Sequence, residues 1–299
     1  MDWKSKRVRD VVDAALLEDK AASDISTALT VDPAARAAGT IFAHESCVVA
    51  GLGIIPVVLE RFAVLDRAGQ TQAATSRFEV VSHPEIFDGV RVRRGQPLAV
   101  IRHSAAAILA TERTVLNLLA RMCGIATLTN AYVRALSGTG AEVLDTRKTI
   151  PGLRLLDHFA VCCGGGLNHR HDLADGVLLK GNHLALGGGL ATTLARAIDR
   201  RKPGQKIQVE VRSPAELTEA LNGGADSILL DNMTPDAVRD AVRQIRAINP
   251  TLPVEASGGI SLETARTYAE AGVNYVTIGS LTHSAHAADL TLRLTPDAS

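Results

Sequence analysis

Residues 207–231, IQVEVRSPAELTEALNGGADSILLD, carry the pattern that decides the fold. Two short apolar runs, at 207–211 and 228–230, enclose a polar stretch with the spacing of a helix. A strand, a helix and a second strand in this order form a βα repeat, whose strands are parallel. Comparable runs recur about every 20 to 35 residues, which is the length of one βα unit. They are Val143-Leu144, Val177 to Leu179, Ile207 to Val211, Ile228 to Leu230, Val254 to Ala256 and Tyr275 to Ile278.

Serial βα units build either an open doubly wound sheet or a barrel. The dinucleotide-binding fingerprint G-x-G-x-x-G does not open a first βα unit in this chain. Ser257-Gly258-Gly259 and Gly279-Ser280 follow the last two predicted strands, which is where α/β barrels bind phosphate. The repeat therefore predicts a barrel in the C-terminal part of the chain.

The first third of the chain predicts a mixed α+β region. Thr40 to Ala50 and Arg77 to Val81 have the composition of strands, and alternating apolar residues at 88–101 predict two more. Ile108 to Ala135 has helical periodicity and no proline. Because glycine disfavours helix interiors, Gly124 predicts a break into two helices.

Composition excludes several classes of protein. Lys plus Arg and Asp plus Glu each number 32, and 3% of residues are aromatic, so no nucleic-acid partner is expected. The charged N-terminus is unlike a signal peptide, and no apolar run approaches the roughly 20 residues that cross a bilayer. The four cysteines form no zinc or dithiol motif, and the neighbours Cys162 and Cys163 suit no structural disulfide. The sequence thus predicts a cytoplasmic protein with reduced thiols and no membrane partner.

Polar residues close each predicted strand, and residues at the C-terminal ends of barrel strands face the active site. Five basic or titratable side chains would gather there in a protein whose net charge is zero: Arg147, Lys148, His169, Arg170 and Lys180. Arginine offers a planar fork to a carboxylate and lysine a point charge, so a ligand with several carboxylates or phosphates is predicted.

Two acids belong to the same set of strand ends. Glu210 and Asp231 suit a divalent cation or a positive charge that develops on carbon. Each residue also has a structural interpretation: Glu210 as an ion-pair partner inside the barrel, His169 as a structural histidine, and the Ser257-Gly258-Gly259 segment as an ordinary turn. A purely structural role for all of these residues at once is less favoured than a ligand site. Charged residues at the ends of apolar strands are costly unless they form ion pairs or bind a ligand.

These residues resemble the quinolinate phosphoribosyltransferase family, also called nicotinate-nucleotide pyrophosphorylase (carboxylating), over nearly the whole chain. The early Glu18-Asp19 and Asp24-Ile25-Ser26 match its N-terminal pattern. The other segments are Thr111 to Thr114 with Asn117, Gly124 to Thr127, Leu144 to Thr149 with Pro151-Gly152, Gly164 to Gly166 with Asn168 to Arg170, Leu179-Lys180 with Asn182-His183, Val209 to Val211, Leu230 to Asn232, Glu255 to Ile260 and Ile278-Gly279. Position 181 departs from the family, since glycine stands where an acid is often found.

The resemblance implies an incomplete, about seven-stranded α/β barrel with an N-terminal α/β sandwich domain. The implied domains are residues 1–115, joined by 284–299, and residues 116–283. It also implies a homodimer with shared active sites, in which Arg113 reaches into the site of the partner subunit.

The resemblance also implies a role for each site residue. Quinolinate would be bound by Arg113, Arg147, His169, Arg170 and Lys180. Phosphoribosyl pyrophosphate (PRPP) would be bound by Lys148, Glu210, Asp231, Ser257, Gly258, Gly259, Gly279 and Ser280. The catalytic residues would be Lys148, Lys180, Glu210 and Asp231. Mg²⁺ would be held with PRPP by Glu210 and Asp231, directly or through water, and no organic cofactor is implied.

The implied reaction is carboxylating phosphoribosyl transfer from PRPP to quinolinate, which yields nicotinate mononucleotide, CO₂ and pyrophosphate in de novo NAD biosynthesis. Two alternatives remain at this point. One is a pyridine phosphoribosyltransferase that acts on nicotinate without decarboxylation. The other is a non-catalytic paralogue that binds pyridine carboxylates.

Overall fold

The structure of the protein is a computed structural model that describes residues 1–67 and 77–296. The chain forms two compact units. The first comprises Met1–Asn130, Thr149–Gly165 and Ser284–Ser299, and the second comprises Ala131–Lys148 and Gly166–His283. The predicted domain boundary at residues 115 and 116 falls inside one long helix, α4 (Ala105–Ala135). The division of the chain at this point stays a prediction. Parts of the predicted first domain, residues 68–76 and 297–299, lie outside the described residues.

The first unit is built on a four-stranded antiparallel sheet in the order β12-β1-β5-β3, with a separate β2-β4 pair. Its strands are β1 (Arg36–Ala43), β2 (Cys47–Val48), β3 (Glu79–Val81), β4 (Arg91–Val92), β5 (Pro97–Ser104) and β12 (Leu290–Pro296). Its helices are α1 (Lys6–Glu18), a 3-10 turn at Ala21–Ser23, α2 (Ile25–Thr30), α3 (Ile54–Arg67), most of α4 and α5 (Arg154–Cys163).

Two sequence-based predictions are wrong in this unit. The predicted strand Thr40 to Ala50 is two strands, because residues 44–46 leave the sheet between β1 and β2. Gly124 does not break α4, which runs without interruption from Ala105 to Ala135. A Cβ atom on Gly124 would lie 1.9 Å from the carbonyl oxygen of His286, so glycine serves here to let another segment of backbone approach the helix.

The second unit contains a six-stranded parallel sheet in the order β6-β11-β10-β9-β8-β7. Its strands are β6 (Glu142–Leu144), β7 (Val177–Leu179), β8 (Ile207–Val211), β9 (Ser227–Asp231), β10 (Val254–Ser257) and β11 (Tyr275–Thr277). Its helices are α6 (Gly181–Gly187), α7 (Leu190–Arg200), α8 (Pro214–Asn222), α9 (Pro235–Ile248), α10 (Leu262–Glu270) and α11 (Ser280–His283). The predicted α/β fold class is confirmed.

The parallel sheet has β6 and β7 as its edge strands, so it is incomplete as a barrel. The resemblance implied about seven strands. In the described residues the seventh position is reduced to one parallel bridge between Leu167 and Leu144 of β6. The short segment at 167 is closely followed by the polar residues of the predicted site, which leaves few apolar residues to extend a strand.

Local sequence signals explain how the helices of this unit begin. Ser213 and Thr234 cap α8 and α9 by accepting hydrogen bonds from backbone N–H groups in the first turn. Proline follows each cap, at the first helical position, where its missing N–H has no helical partner to lose. These caps turn the chain immediately after β8 and β9, which leaves the residues at the strand ends exposed to one side of the sheet.

No helix in the described part of the chain is both long and apolar enough to cross a bilayer.

Candidate active site

A pocket of about 350 Å³ lies at the C-terminal ends of the parallel strands. Predicted site residues from β6 through β10 line it: Arg147, Lys148, His169, Arg170, Lys180, Glu210, Asp231, Ser257, Gly258 and Gly259. Further lining residues include Asp145, Thr146, Asn232, Glu255 and Thr277. The ends of parallel strands meet at one edge of the sheet, so residues far apart in sequence share this pocket.

The acidic side of the pocket is formed by Glu210 and Asp231, from the adjacent strands β8 and β9. The guanidinium of Arg212 bridges them: Nη2 lies 2.9 Å from Oε1 of Glu210, and Nε lies 3.0 Å from Oδ2 of Asp231. The second oxygen of Glu210 lies 3.6 Å from Nζ of Lys180. The Glu210 side chain is 6% exposed, so its negative charge requires these cations.

The turn after β9 is held in a left-handed conformation. Asn232 has φ of 54°, its side-chain amide donates to Asp231, and its backbone N–H donates to the carbonyl of Ser257 at 2.9 Å. Gly258, with φ of +100°, faces it: a Cβ on Gly258 would lie 2.4 Å from Oδ1 of Asn232. Only glycine fits at 258, because both the backbone conformation and the neighbouring amide exclude a side chain.

The basic side of the pocket contains Arg147, Arg170 and Lys180. Nη1 of Arg170 donates to the carbonyl of Gly176 at 2.9 Å. Burial lowers the pKa of Arg170, and the nearby charge of Arg147 lowers it further. The two guanidinium groups repel each other because both are positively charged. An anion bound between them is stabilised by both charges.

His169 is held by protein groups at both ring nitrogens. Nδ1 accepts the backbone N–H of Arg170 at 2.7 Å, and Nε2 lies 3.3 Å from Glu255 and 3.2 Å from Gln208. Burial lowers the pKa of His169, but the hydrogen bond and charge of Glu255 outweigh it, so the pKa lies above its ordinary value. This geometry supports an orienting role for His169, and its direct contact with quinolinate stays a prediction.

A buried polar chain continues from His169 into the sheet. Gln208 donates to Oε2 of Glu255 at 2.7 Å, and Thr277 donates to Oε1 of the same carboxylate at 2.5 Å. The backbone N–H of His169 donates to Asp145 at 2.8 Å. These bonds connect β8, β10, β11 and Asp145, the residue after β6, to the segment that carries Arg170, and so restrict the position of that arginine.

The remaining predicted phosphate residues lie near Lys148. A Cβ on Gly279 would lie 3.2 Å from Cδ of Lys148, and the hydroxyl of Thr282 donates to the Lys148 carbonyl at 2.9 Å. Lys148 itself is exposed. Ser280 begins the four-residue helix α11. The phosphate-binding roles of Gly279 and Ser280 stay predictions.

Other residues noted in the sequence lie in the first unit. Arg113 is exposed on α4, and its place in a shared site stays a prediction. All four cysteines fall in the described ranges, and each is a thiol instead of half a disulfide. Burial raises the pKa of Cys163 to about 12, which favours the protonated thiol at neutral pH.

Sequence reasoning missed Arg212, Glu255 and Gln208. A sequence signal for Arg212 exists, because it directly follows β8 and therefore stands at a strand end like the predicted site residues. Glu255 is a charged residue within an apolar strand, which is itself an indication of pairing or use. The partners of these residues depend on which strands are neighbours, and that order is not local information.

Comparison with known proteins adds an independent line of evidence. Residues 24–123 match the family model of the quinolinate phosphoribosyl transferase N-terminal domain, and residues 125–293 match that of its C-terminal domain. The carboxylating nicotinate-nucleotide pyrophosphorylase of Mycobacterium leprae is 40% identical over 296 residues, covering 98% of this chain and 99% of the relative. A probable enzyme of the same name from Bacillus subtilis is 38% identical over 263 residues, covering 86% of both chains.

Solved structures agree with the sequence comparison. The crystal structure of NadC from Streptococcus pyogenes has a TM-score of 0.88 and 35% identity, and the match covers 99% of each chain. The nicotinate-nucleotide pyrophosphorylase of Ehrlichia chaffeensis has a TM-score of 0.84 and 30% identity, covering 96% of this chain and 98% of that one. With both family domains matched and relatives similar from end to end, the chain belongs to the quinolinate phosphoribosyltransferase family.

Proposed function

We propose that this protein transfers the phosphoribosyl group of PRPP to quinolinate, with decarboxylation, to yield nicotinate mononucleotide, CO₂ and pyrophosphate in de novo NAD biosynthesis. The observation that carries the proposal is one pocket with two sides of opposite charge. Arg147, Arg170 and Lys180 suit a ligand with two carboxylates, whereas Glu210 and Asp231 suit a sugar that becomes positively charged.

Binding of quinolinate is assigned to the basic side of the pocket. Each guanidinium offers a planar pair of donors to one carboxylate, and Lys180 adds a point charge. The positive charges of Arg147 and Arg170 repel each other, which lowers the pKa of Arg170. A dianion bound between the two side chains offsets this repulsion. Two carboxylates held in this way orient the pyridine nitrogen toward the sugar, and correct orientation can lower a barrier by about 7–11 kcal/mol in favourable cases.

The transfer step is assigned to the acidic side. The pyridine nitrogen forms a bond to C1 of the ribose while the bond from C1 to pyrophosphate breaks, and positive charge develops on the sugar. Glu210 and Asp231 stabilise that charge, because fixed carboxylates in a partly dehydrated pocket act more strongly than in water. Lys148 contacts the leaving pyrophosphate, and the backbone at Ser257, Gly258 and Gly259 receives the 5-phosphate.

Decarboxylation follows from the chemistry of the product. The quaternised ring nitrogen accepts the electron pair of the carbon–carboxylate bond, so the adjacent carboxylate leaves as CO₂. The resulting carbanion takes a proton from water or from a nearby acid. Lys148 and Lys180 both line the pocket, and either is a suitable donor.

Mg²⁺ is proposed as the metal of the reaction. Glu210 and Asp231 supply hard carboxylate oxygens next to each other, which is the ligand type that Mg²⁺ prefers. Within residues 1–67 and 77–296, three or more His, Cys, Asp or Glu side chains nowhere come together as a metal site. This fits an ion that arrives on the substrate phosphates and takes one or two carboxylates from the protein, directly or through water. When bound, it would neutralise charge on the pyrophosphate.

The proposal includes a homodimer in the cytoplasm, with no nucleic-acid or membrane partner. Arg113 is exposed and lies in a segment that resembles the family. Both features support the proposal that its side chain serves the site of a neighbouring subunit. The balanced charge and the low aromatic content support small-molecule substrates.

The experiment that tests this function is a turnover assay with purified protein, PRPP, Mg²⁺ and quinolinate, in which CO₂ and nucleotide are both followed. Equal release of CO₂ and nicotinate mononucleotide from quinolinate, with no product from nicotinate, is expected. Product from nicotinate without CO₂ would replace the proposal with a non-decarboxylating transferase. Tight quinolinate binding without turnover would replace it with a non-catalytic binding protein.

A further inference from the structure

Arg212 bonds to both carboxylates of the pocket and has no role in the proposed reaction. It follows β8, and its guanidinium bonds to Glu210 and Asp231 at 2.9 and 3.0 Å. The side chain of Arg212 is 57% exposed, whereas the side chains of Glu210 and Asp231 are only 6% and 13% exposed. An exposed cation therefore compensates two carboxylates that have lost most of their water.

The position of Arg212 is determined from two further directions. Its backbone N–H donates to Glu216 in the first turn of α8 at 2.7 Å, so the chain at this residue is anchored. Across the guanidinium lies Gly181, at the start of α6, where a Cβ would stand 3.4 Å from Nη1 of Arg212. Glycine at 181 offers the guanidinium no competing side chain, and in the described part of the chain Arg212 forms ion pairs with the two pocket carboxylates.

We propose that Arg212 is a positioning residue that supplies the counter-charge of Glu210 and Asp231 in the enzyme before Mg²⁺ arrives with PRPP. The inference rests on the proposed function, since it takes PRPP as the ligand of these acids. Arg212 holds the carboxylates of two neighbouring strands in one orientation and prevents them from repelling the pyrophosphate of incoming PRPP. The guanidinium is always charged and has a long, flexible stem, so it moves aside as the cation takes over its role.

The consequence is a coupling between Arg212 and Mg²⁺ in PRPP binding. Without the guanidinium, more of the positive charge near the carboxylates must come from the metal ion. Removing the charge of Arg212 is therefore expected to weaken PRPP binding more in the absence of Mg²⁺ than in its presence. A purely structural loosening of the pocket would weaken both to the same degree.

The test is calorimetric titration of PRPP into the full-length protein without quinolinate, once with Mg²⁺ and once with EDTA. The quantity compared is the ratio of the dissociation constant in EDTA to that in Mg²⁺. We expect this ratio to rise about three- to tenfold in Arg212→Gln, the range for a half-exposed ion pair with buried carboxylates.

Arg212→Lys keeps the charge and is expected to stay closer to the wild-type ratio. Arg243→Gln, on the exposed face of α9, is the matched control and should leave it unchanged.

A second pair of variants keeps Arg212 in place. Gly181→Asp adds a carboxylate beside Nη1 that competes for the guanidinium, so it is expected to raise the ratio as Arg212→Gln does. Gly181→Ala adds only a methyl group at ordinary contact distance and is expected to leave the ratio unchanged.

The outcomes separate this inference from the proposed function. If the wild-type protein binds PRPP and the ratio is unchanged in both Arg212→Gln and Gly181→Asp, the role of Arg212 is overturned. A ratio that rises as far in Arg212→Lys as in Arg212→Gln also overturns it. If the wild-type protein with Mg²⁺ neither binds PRPP nor releases nicotinate mononucleotide from PRPP and quinolinate, the proposed function itself fails. Turnover without binding of PRPP alone overturns the coupling of Arg212 to PRPP binding.

Discussion

At the scale of single residues, the pocket depends on side chains whose charges are compensated before any ligand binds. Glu255 is 3% exposed and accepts from Thr277, Gln208 and His169. His169 in turn holds the backbone N–H of Arg170. A buried carboxylate thus determines the orientation of a histidine, and the histidine determines the orientation of an arginine at the pocket wall.

The first residue-scale prediction concerns the pKa of His169. Glu255→Gln removes the charge that raises this pKa, so burial is expected to dominate and the pKa should fall. The measurement is a pH titration of the His169 ring signals by NMR, with Glu270→Gln on exposed α10 as the control. An unchanged pKa of His169 in the Glu255 variant would contradict the assignment of Glu255 as its charge partner.

The same pair predicts how stability depends on pH. Because the pKa of folded His169 lies above its unfolded value of about 6.5, the folded state binds the ring proton more tightly than the unfolded state, although the protonated Nδ1 no longer accepts the N–H of Arg170. That contribution is fully present below pH about 6.5 and is lost as pH rises through the folded pKa. Urea unfolding at several pH values measures the free energy of unfolding of the wild type and of Glu255→Gln. The difference in favour of the wild type should shrink as the pH rises. An advantage that grows with pH would contradict a folded pKa of His169 above its unfolded value.

The second residue-scale prediction concerns Arg147. Arg147→Ala removes a charged donor from the basic side, and a hydrogen bond between charged groups is worth about 1.5–3 kcal/mol. The KM for quinolinate should rise about ten- to hundredfold, or turnover should be lost, while PRPP binding is kept. Steady-state kinetics check this, with Arg243→Ala as the control at an exposed arginine. Kinetics equal to those of the wild type would rule out the carboxylate contact.

At the scale of elements, α4 shows how one glycine can be misread. The sequence of Ile108 to Ala135 is helical throughout, and glycine at 124 is a common reason for a helix to end. In the structure α4 continues, and the backbone at His286 and Ala287 passes so close to Gly124 that a side chain has no room. The glycine is required by a neighbouring segment instead of by the local backbone.

The element-scale prediction follows from that approach. Gly124→Ala places a methyl group 1.9 Å from the His286 carbonyl, so the segment at 286–287 must move. Overpacking of this kind costs about 1–3 kcal/mol of unfolding free energy, which outweighs the gain of about 1 kcal/mol from alanine in a helix. Urea denaturation measures the difference. Gly181→Ala, also within a helix but at ordinary contact distance, is the control, and equal stability of the two variants would contradict the steric argument.

At the scale of the whole molecule, the question is whether sites are complete in one chain. The pocket in the second unit contains the predicted residues from Arg147 to Gly259, whereas Arg113 lies on α4 in the first unit. The proposed homodimer assigns Arg113 to the site of the partner subunit. Isologous dimers place the same residue at both sites, so each chain would give one arginine and receive one.

The whole-molecule prediction is complementation between two inactive variants. Arg113→Ala and Lys148→Ala should each impair turnover when expressed alone. If Arg113 serves the partner's site, a mixed dimer contains one site with neither change and should regain up to about half of the wild-type activity. The measurement is turnover after co-expression with two affinity tags and isolation of the mixed species. Absence of regained activity in confirmed mixed dimers would place Arg113 outside a shared site.

The sequence by itself determined those features that depend on near neighbours along the chain. The βα repeat, the caps at Ser213 and Thr234, and the polar residues at the strand ends follow from local periodicity and turn chemistry. The family resemblance was also readable from motifs. The tendency of parallel strand ends to meet at one edge was then enough to gather Arg147, Glu210 and Asp231 into one site.

Only the tertiary structure decided which groups actually touch. It made α4 one helix, bridged Glu210 and Asp231 with Arg212, and occupied both ring nitrogens of His169. The physical reason is that hydrogen bonds and steric contacts act over about 3 to 4 Å. At that range the outcome depends on strand order and register, which bring together residues that are distant in the chain.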